Sequence, residues 1–133
     1  MKLTTRSEYA LLALVYLARQ NYDGYVSVQK VSEAQEIPPK FLEQILLTLK
    51  RARILTSAKG QKGGYRLNKP PDQIVLAEVI RLFDGALAPT ESVSENFYEQ
   101  TPIEREERLV KVFKDIRDYV SETLETTTLA DVS

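Results

Sequence analysis

Along the N-terminal part of the chain, apolar residues recur every three or four positions, the period of a helix with one face turned to a core. Tyr9, Leu12, Ala13, Tyr16 and Leu17 form the first such stripe. Ahead of it, Thr5-Arg6-Ser7-Glu8 reads as a capping box, with Thr5 as the cap and Glu8 reaching back. Asn21-Tyr22-Asp23-Gly24 is turn chemistry and predicts the end of this helix. Ser27 can cap a second, short helix to about Gln35, with Val28, Val31 and Ala34 inward. Pro39, in Ile37-Pro38-Pro39, is preset for a first helical turn and predicts a third helix to about Arg53. That helix turns Phe41, Leu42, Ile45, Leu46 and Leu49 inward.

The period then changes. Ile54-Leu55-Thr56-Ser57 and Tyr65-Arg66-Leu67 are strand-like, and the glycine-bearing stretch 58–64 between them predicts a hairpin loop. After a two-proline turn over 68–72, a short helix is expected over 76–84, with Val79, Ile80 and Phe83 inward and Gly85 as its C-terminal cap. Residues 86–100 show no clear period and read as a flexible loop. Thr101-Pro102-Ile103-Glu104 then places a cap residue, a proline and a glutamate as a helix start requires. One helix of about 36 Å is expected from there to about Glu125. Leu109, Phe113, Ile116, Val120 and Leu124 form a near-heptad apolar seam along it. A closing turn follows at Thr128-Leu129-Ala130-Asp131.

The fold class this implies is mainly α with a small β-hairpin wing: a winged helix-turn-helix over 1–85, a loop over 86–100, and a long C-terminal helix with its closing turn over 101–133. Few remaining elements can cover the seam, so a second copy is expected to do so, giving a homodimer.

Charge sharpens the picture. The net charge is −1, yet residues 1–85 carry 13 Lys and Arg against 8 Asp and Glu, while residues 86–133 carry 5 against 11. No acidic residue falls between Gln44 and Pro71, whereas Lys50, Arg51, Arg53, Lys59, Lys62, Arg66 and Lys69 all do. A basic patch of this kind suits a polyanion. The chain contains no cysteine and no histidine. Disulfides, thiolate metal sites, ordinary zinc sites and Ser–His or Cys–His nucleophile pairs are therefore excluded. A carboxylate enzyme would need a paired-acid motif, and none is visible, so no catalytic residue is assigned. No apolar run is long enough to span a membrane, and none resembles a signal core, which predicts a cytoplasmic protein.

Two short helices, a tight turn and a basic ribbon together suit duplex DNA. A helix opened by Pro39 is about as wide as the major groove and can present Lys40, Glu43, Gln44 and Leu47 to base edges and phosphates. Gln44 can pair with adenine through two hydrogen bonds, and Glu43 can accept from the cytosine amino group. Either could equally be an ordinary solvent-facing helix residue. Lys50 and Arg51 extend the basic face, and Lys59, Gln61, Lys62 and Tyr65 of the hairpin are the further residues expected to contact DNA. Its glycines permit close backbone approach, and its lysines carry charge for phosphates or a narrow minor groove. Gly60, Gly63 and Gly64 do not form a phosphate-binding loop of the nucleotide type, because no Gly-Lys-Ser/Thr follows.

These residues resemble the Rrf2 family of bacterial winged-helix transcription regulators over essentially the whole chain. The resemblance is carried by 3–10, by Phe41-Leu42-Glu43-Gln44-Ile45-Leu46, by the hairpin from Gly60 to Tyr65, and by Thr127-Thr128-Leu129-Ala130-Asp131. It implies a repressor or dual regulator that dimerises through the long helix; a dimer would set two recognition helices about one DNA turn apart, which predicts a pseudo-palindromic operator. It also implies that Glu43 and Gln44 read bases and that Lys59 enters the minor groove. Two positions depart from the family's pattern: Pro38 stands where a serine cap is common, and Lys40 adds a charge. Several relatives hold an iron–sulfur cluster through three cysteines in the loop that follows the Gly85 position. Here that loop offers Glu91, Ser92, Ser94, Glu95, Asn96, Tyr98 and Glu99, and no thiolate exists anywhere in the chain. The chain thus looks like the cluster-free branch that includes the repressor of cysteine metabolism, and no cofactor is expected. By that resemblance a regulatory protein partner or a small-molecule effector sets activity, with 86–100 as either the sensing surface or a plain linker. The competing reading is a winged-helix protein-interaction module.

Overall fold

The computed structural model describes residues 1–20 and 24–133; the turn expected across Asn21-Tyr22-Asp23 lies outside them. The chain order is α1 (Thr5–Arg19), α2 (Val28–Gln35), α3 (Pro39–Arg51), β1 (Leu55–Ala58), β2 (Gly64–Leu67), α4 (Leu76–Asp84), α5 (Glu107–Thr126) and α6 (Leu129–Val132). Three single 3-10 turns join them, at Pro71–Gln73, Glu91–Val93 and Pro102–Arg105. This is a winged helix-turn-helix with a long C-terminal helix, as the periodicity predicts.

α1 is the centre of the packing and touches α2, α3, α4, α6 and β2. Because partners surround it, its buried positions are Ser7, Ala10, Ala13, Leu14 and Leu17; Ala13 and Leu17 of the expected stripe are among them and Tyr9 and Tyr16 pack against the core, whereas Leu12 is 40% exposed. The expected cap also shifts by one residue. Thr4, not Thr5, accepts from the Ser7 N–H, at 3.2 Å. The choice is made from far along the chain, since the Thr4 hydroxyl donates in turn to the Asp84 carboxylate at the end of α4, at 2.6 Å.

In α2, Ser27 caps as expected by accepting from the Lys30 N–H. Ala34 faces solvent rather than the core. The helix instead lays Ser32 and Gln35 inward: the Ser32 hydroxyl donates to the Ile37 carbonyl, and the Gln35 amide donates to the Leu12 carbonyl. Leu42, Ile45, Leu46 and Leu49 of α3 are fully buried in the main apolar core with Ala10, Leu14, Val31, Ile54, Leu55 and Ile74. Leu129 of α6 is fully buried in the same core. It is held there by its N–H donating to the Ile74 carbonyl, at 2.9 Å, so the core draws on residues well beyond 85.

The single expected helix over 101–125 is divided. Thr101, Pro102 and Glu104 do make a helix start, with the Thr101 N–H donating to the Glu104 carboxylate at 3.2 Å. That start yields only the 3-10 turn Pro102–Arg105, and extended backbone at Glu106 precedes α5. The turn's polar groups are committed to the preceding segment: Thr101 Oγ1 donates to Ser92 Oγ at 2.8 Å, and the Tyr98 hydroxyl donates to Glu104 at 2.7 Å. Residues 86–100, read as a loop without elements, bury Leu87, Ala88, Ser92, Val93 and Ser94 and carry one 3-10 turn. Arg117 of α5 donates to the Val93 carbonyl at 2.9 Å and so fastens this segment to the long helix.

Candidate nucleic-acid interface

α3 divides sharply into two faces. Its inner face is closed by the four fully buried side chains named above, while Lys40, Glu43, Gln44, Leu47, Lys50 and Arg51 are all exposed. Their spacing places them in one continuous stripe along the helix. Pro39 occupies the first turn, and no side chain caps the N-terminus. The angle between α2 and α3 is set by Glu36, which adopts a left-handed conformation, and by the Ile37 N–H donating to the Ser32 carbonyl at 3.1 Å. At the other end Arg53 has φ 64°. Asn68 then bridges α3 to the hairpin, its side chain donating to the Arg53 carbonyl and its N–H to the Ile54 carbonyl, both at 2.9 Å.

The hairpin pairs Leu55 with Leu67, Thr56 with Arg66, Ser57 with Tyr65 and Ala58 with Gly64. Its root is stitched to the segment before α2 by a two-way backbone bridge between Val26 and Tyr65, each hydrogen bond 2.8 Å. The glycines that permit this are distinct in role. A Cβ on Gly64, where φ is +142°, would lie 2.1 Å from the Val26 carbonyl oxygen. A Cβ on Gly63 would lie 2.2 Å from the Ala58 carbonyl oxygen. Gly60 at the tip has φ +102° but faces open space.

Lys59, Gln61 and Lys62 are exposed along the loop. Tyr65 is half-buried and packs against the main core, so its ring supports the wing root, while Arg66 stacks its guanidinium 4.6 Å from the Tyr25 ring. A shallow cleft beside the wing is lined by Tyr25, Ser27, Lys30, Gln61, Lys62 and Gly63. Lys30 thus adjoins the wing's basic edge. Sequence reasoning missed it, because a lone lysine on α2 has no pattern until the Val26–Tyr65 bridge brings the two segments together.

On α5 the seam residues fall into two groups. Val120 and Leu124 pack against a second apolar cluster of Ala77, Ile80 and Leu87 in their own chain. Phe113 is half-buried, and Leu109 and Ile116 are each 43% exposed. Val112 and Tyr119, outside the expected seam, are still more exposed. Leu109, Val112, Ile116 and Tyr119 follow a three-four-three spacing, which the apolar neighbours Phe113 and Val120 obscure in the sequence. α5 is tied to α4 by the Arg81–Glu125 ion pair, and hydrogen bonding from Arg81 holds the Glu125 carboxyl below its ordinary pKa. No helix among the described residues is long and apolar enough to cross a membrane.

Comparison with known proteins agrees with this geometry. The profile of a family described as "Rrf2: Iron-dependent Transcriptional regulator" matches residues 3–133. The chain is 31% identical to the HTH-type transcriptional regulator CymR of Bacillus subtilis over 133 residues, covering 100% of this chain and 90% of that protein. A Synechocystis protein of the same regulator type is 44% identical over 89 residues, covering 67% of this chain but only 60% of the relative. The structure of CymR, the global cysteine regulator of B. subtilis, superposes with a TM-score of 0.80 at 30% identity, covering 99% of this chain and 95% of CymR. IscR of T. potens superposes with a TM-score of 0.76 at 26% identity, covering 99% and 85%. The iron in the family description would find neither thiolate nor imidazole here. Cys and His are absent from the sequence, and among the described residues no group of three or more Asp or Glu converges on a point where an ion could sit.

Proposed function

With its match extending over residues 3–133, the chain belongs to the Rrf2 family of transcriptional regulators, and we propose that it acts as a cytoplasmic, homodimeric repressor without cofactor or catalytic activity. As a regulator of the helix-turn-helix type it binds DNA. The observation that carries the finer reading is the α3 stripe of Lys40, Glu43, Gln44, Lys50 and Arg51 set beside a basic wing whose root is pinned by Gly64. In this reading α3 enters the major groove, Glu43 and Gln44 read base edges, and Lys59 and Lys62 meet phosphates or the minor groove. Tyr65 serves by supporting the wing. The exposed apolar stripe on α5, centred on Leu109 and Ile116, meets its copy in a second subunit, and the operator is pseudo-palindromic. Segment 86–100 is the surface on which a protein partner or small molecule acts, supported by its place between α4 and α5 and by the exposed rings of Phe97 and Tyr98.

Selection of bound fragments from a random duplex pool tests the reading and should recover a palindrome. On that duplex, Lys59→Ala and Lys62→Ala should each reduce the slope of log affinity against log salt by about one. Binding that is weak and indifferent to both changes would favour a protein-interaction module instead.

A further inference from the structure

Leu47 is an anomaly on α3. The helix's other large apolar side chains, Phe41, Leu42, Ile45, Leu46 and Leu49, all belong to the main core or pack against it. Leu47 is 38% exposed and has no place in either apolar cluster. A single exposed leucine on a protein surface needs no explanation. This one sits in the middle of the stripe that faces DNA, with Glu43 and Gln44 one turn before it and Lys50 and Arg51 one turn after it. Its neighbour Thr48, which could also offer a methyl group, is half-buried and donates its hydroxyl back to the Gln44 carbonyl at 3.0 Å.

We propose that Leu47 is a specificity-determining residue that contacts the 5-methyl group of a thymine, next to the base pair read by Gln44. The inference rests on α3 lying in the major groove. Three residues of helix advance about 4.5 Å, close to the roughly 3.4 Å between successive bases, so Leu47 meets a base pair adjoining that of Gln44. Among major-groove edges, thymine alone presents an apolar group. A leucine side chain has no hydrogen-bonding atom. Against the amino group of cytosine or adenine it would exclude water and leave a donor unpaired, which selects against those bases as well as for thymine.

The test is a series of operator duplexes, recovered by the selection above, in which thymines are replaced one at a time by uracil, removing only the methyl group. At one position per half-site the wild-type protein should lose about fourfold in affinity, the value of one buried methyl. Leu47→Ala should bind the thymine and uracil duplexes equally at that position, and Leu47→Met, still apolar, should keep the preference. A wild-type protein that binds the operator selectively but ignores every methyl overturns this assignment while leaving the proposed function intact. So does a Leu47→Ala variant that still discriminates. Failure to select any duplex overturns both.

Discussion

Asp84 fastens the end of α4 to the start of α1. It accepts from Thr4 Oγ1 and from Ser7 Oγ, each at 2.6 Å, and from the Thr4 N–H at 3.2 Å. Burial works to raise its carboxyl. The hydrogen bonds from Ser7 and Thr4, helped by the charge of Arg6, outweigh that and hold it below its ordinary pKa. A depressed carboxylate contributes stability that is present above its unfolded pKa and is lost as pH falls through the lower folded value. Asp84→Ala should therefore destabilise the protein by about 1–2 kcal/mol near neutrality, and the gap from wild type should close as the solution is acidified through the carboxylate range. Urea unfolding at a series of pH values measures this, and a gap that stays constant with pH would refute it. The same contact explains why the first cap was misassigned. Thr5 carries the stronger local signal, with Glu8 three residues on, and it is a carboxylate some 80 positions later that favours Thr4.

Among the elements, those ended by backbone chemistry were legible in advance. Ser27, Pro39 and Gly85 mark boundaries through local stereochemistry alone, and α2, α3 and α4 begin or end where those residues place them. The exposed face of α3 was legible for the same reason, since a strong helical period leaves one face for the core and the other for solvent. The division of α5 from its capped first turn was not legible. The cap is real, but Thr101 and Glu104 spend their side chains on Ser92 and Tyr98, and those contacts belong to tertiary structure. Within the wing, the glycines should differ as their surroundings do. Gly64→Ala combines a strained φ with a clash against the Val26 carbonyl, and strain alone costs about 1–3 kcal/mol. It should lower the thermal midpoint and weaken duplex binding. Gly60→Ala, in open space, should be the milder change in both measurements, and the opposite order would mean that the wing root is not what fixes the hairpin.

For the whole molecule, basic charge and exposed apolar surface fall in different parts of the chain. The basic part carries α3 and the wing, and the acidic part carries α5, whose exposed residues Leu109, Val112, Ile116 and Tyr119 lack a cover within the described chain. Placing a charge in that stripe should prevent a second copy from covering it. Ile116→Glu is expected to sediment as a monomer with an unchanged circular dichroism spectrum. It should bind a full operator much more weakly than wild type while keeping its affinity for a half-site. A variant that remains dimeric would move the interface elsewhere.

The burial of Leu129 in the winged core has a consequence for the order in which the protein is made. Every residue assigned to DNA contact leaves the ribosome before Leu129 has been joined to the chain. The site it fills, beside Ile74 and against α1, stays open until α5 has been synthesised as well. A nascent or truncated chain that stops short of it bears the full recognition surface yet lacks a core leucine, a loss on the order of 3–5 kcal/mol. Fragments that stop before Leu129 are therefore expected to fold less stably than the whole chain, however complete their recognition helix.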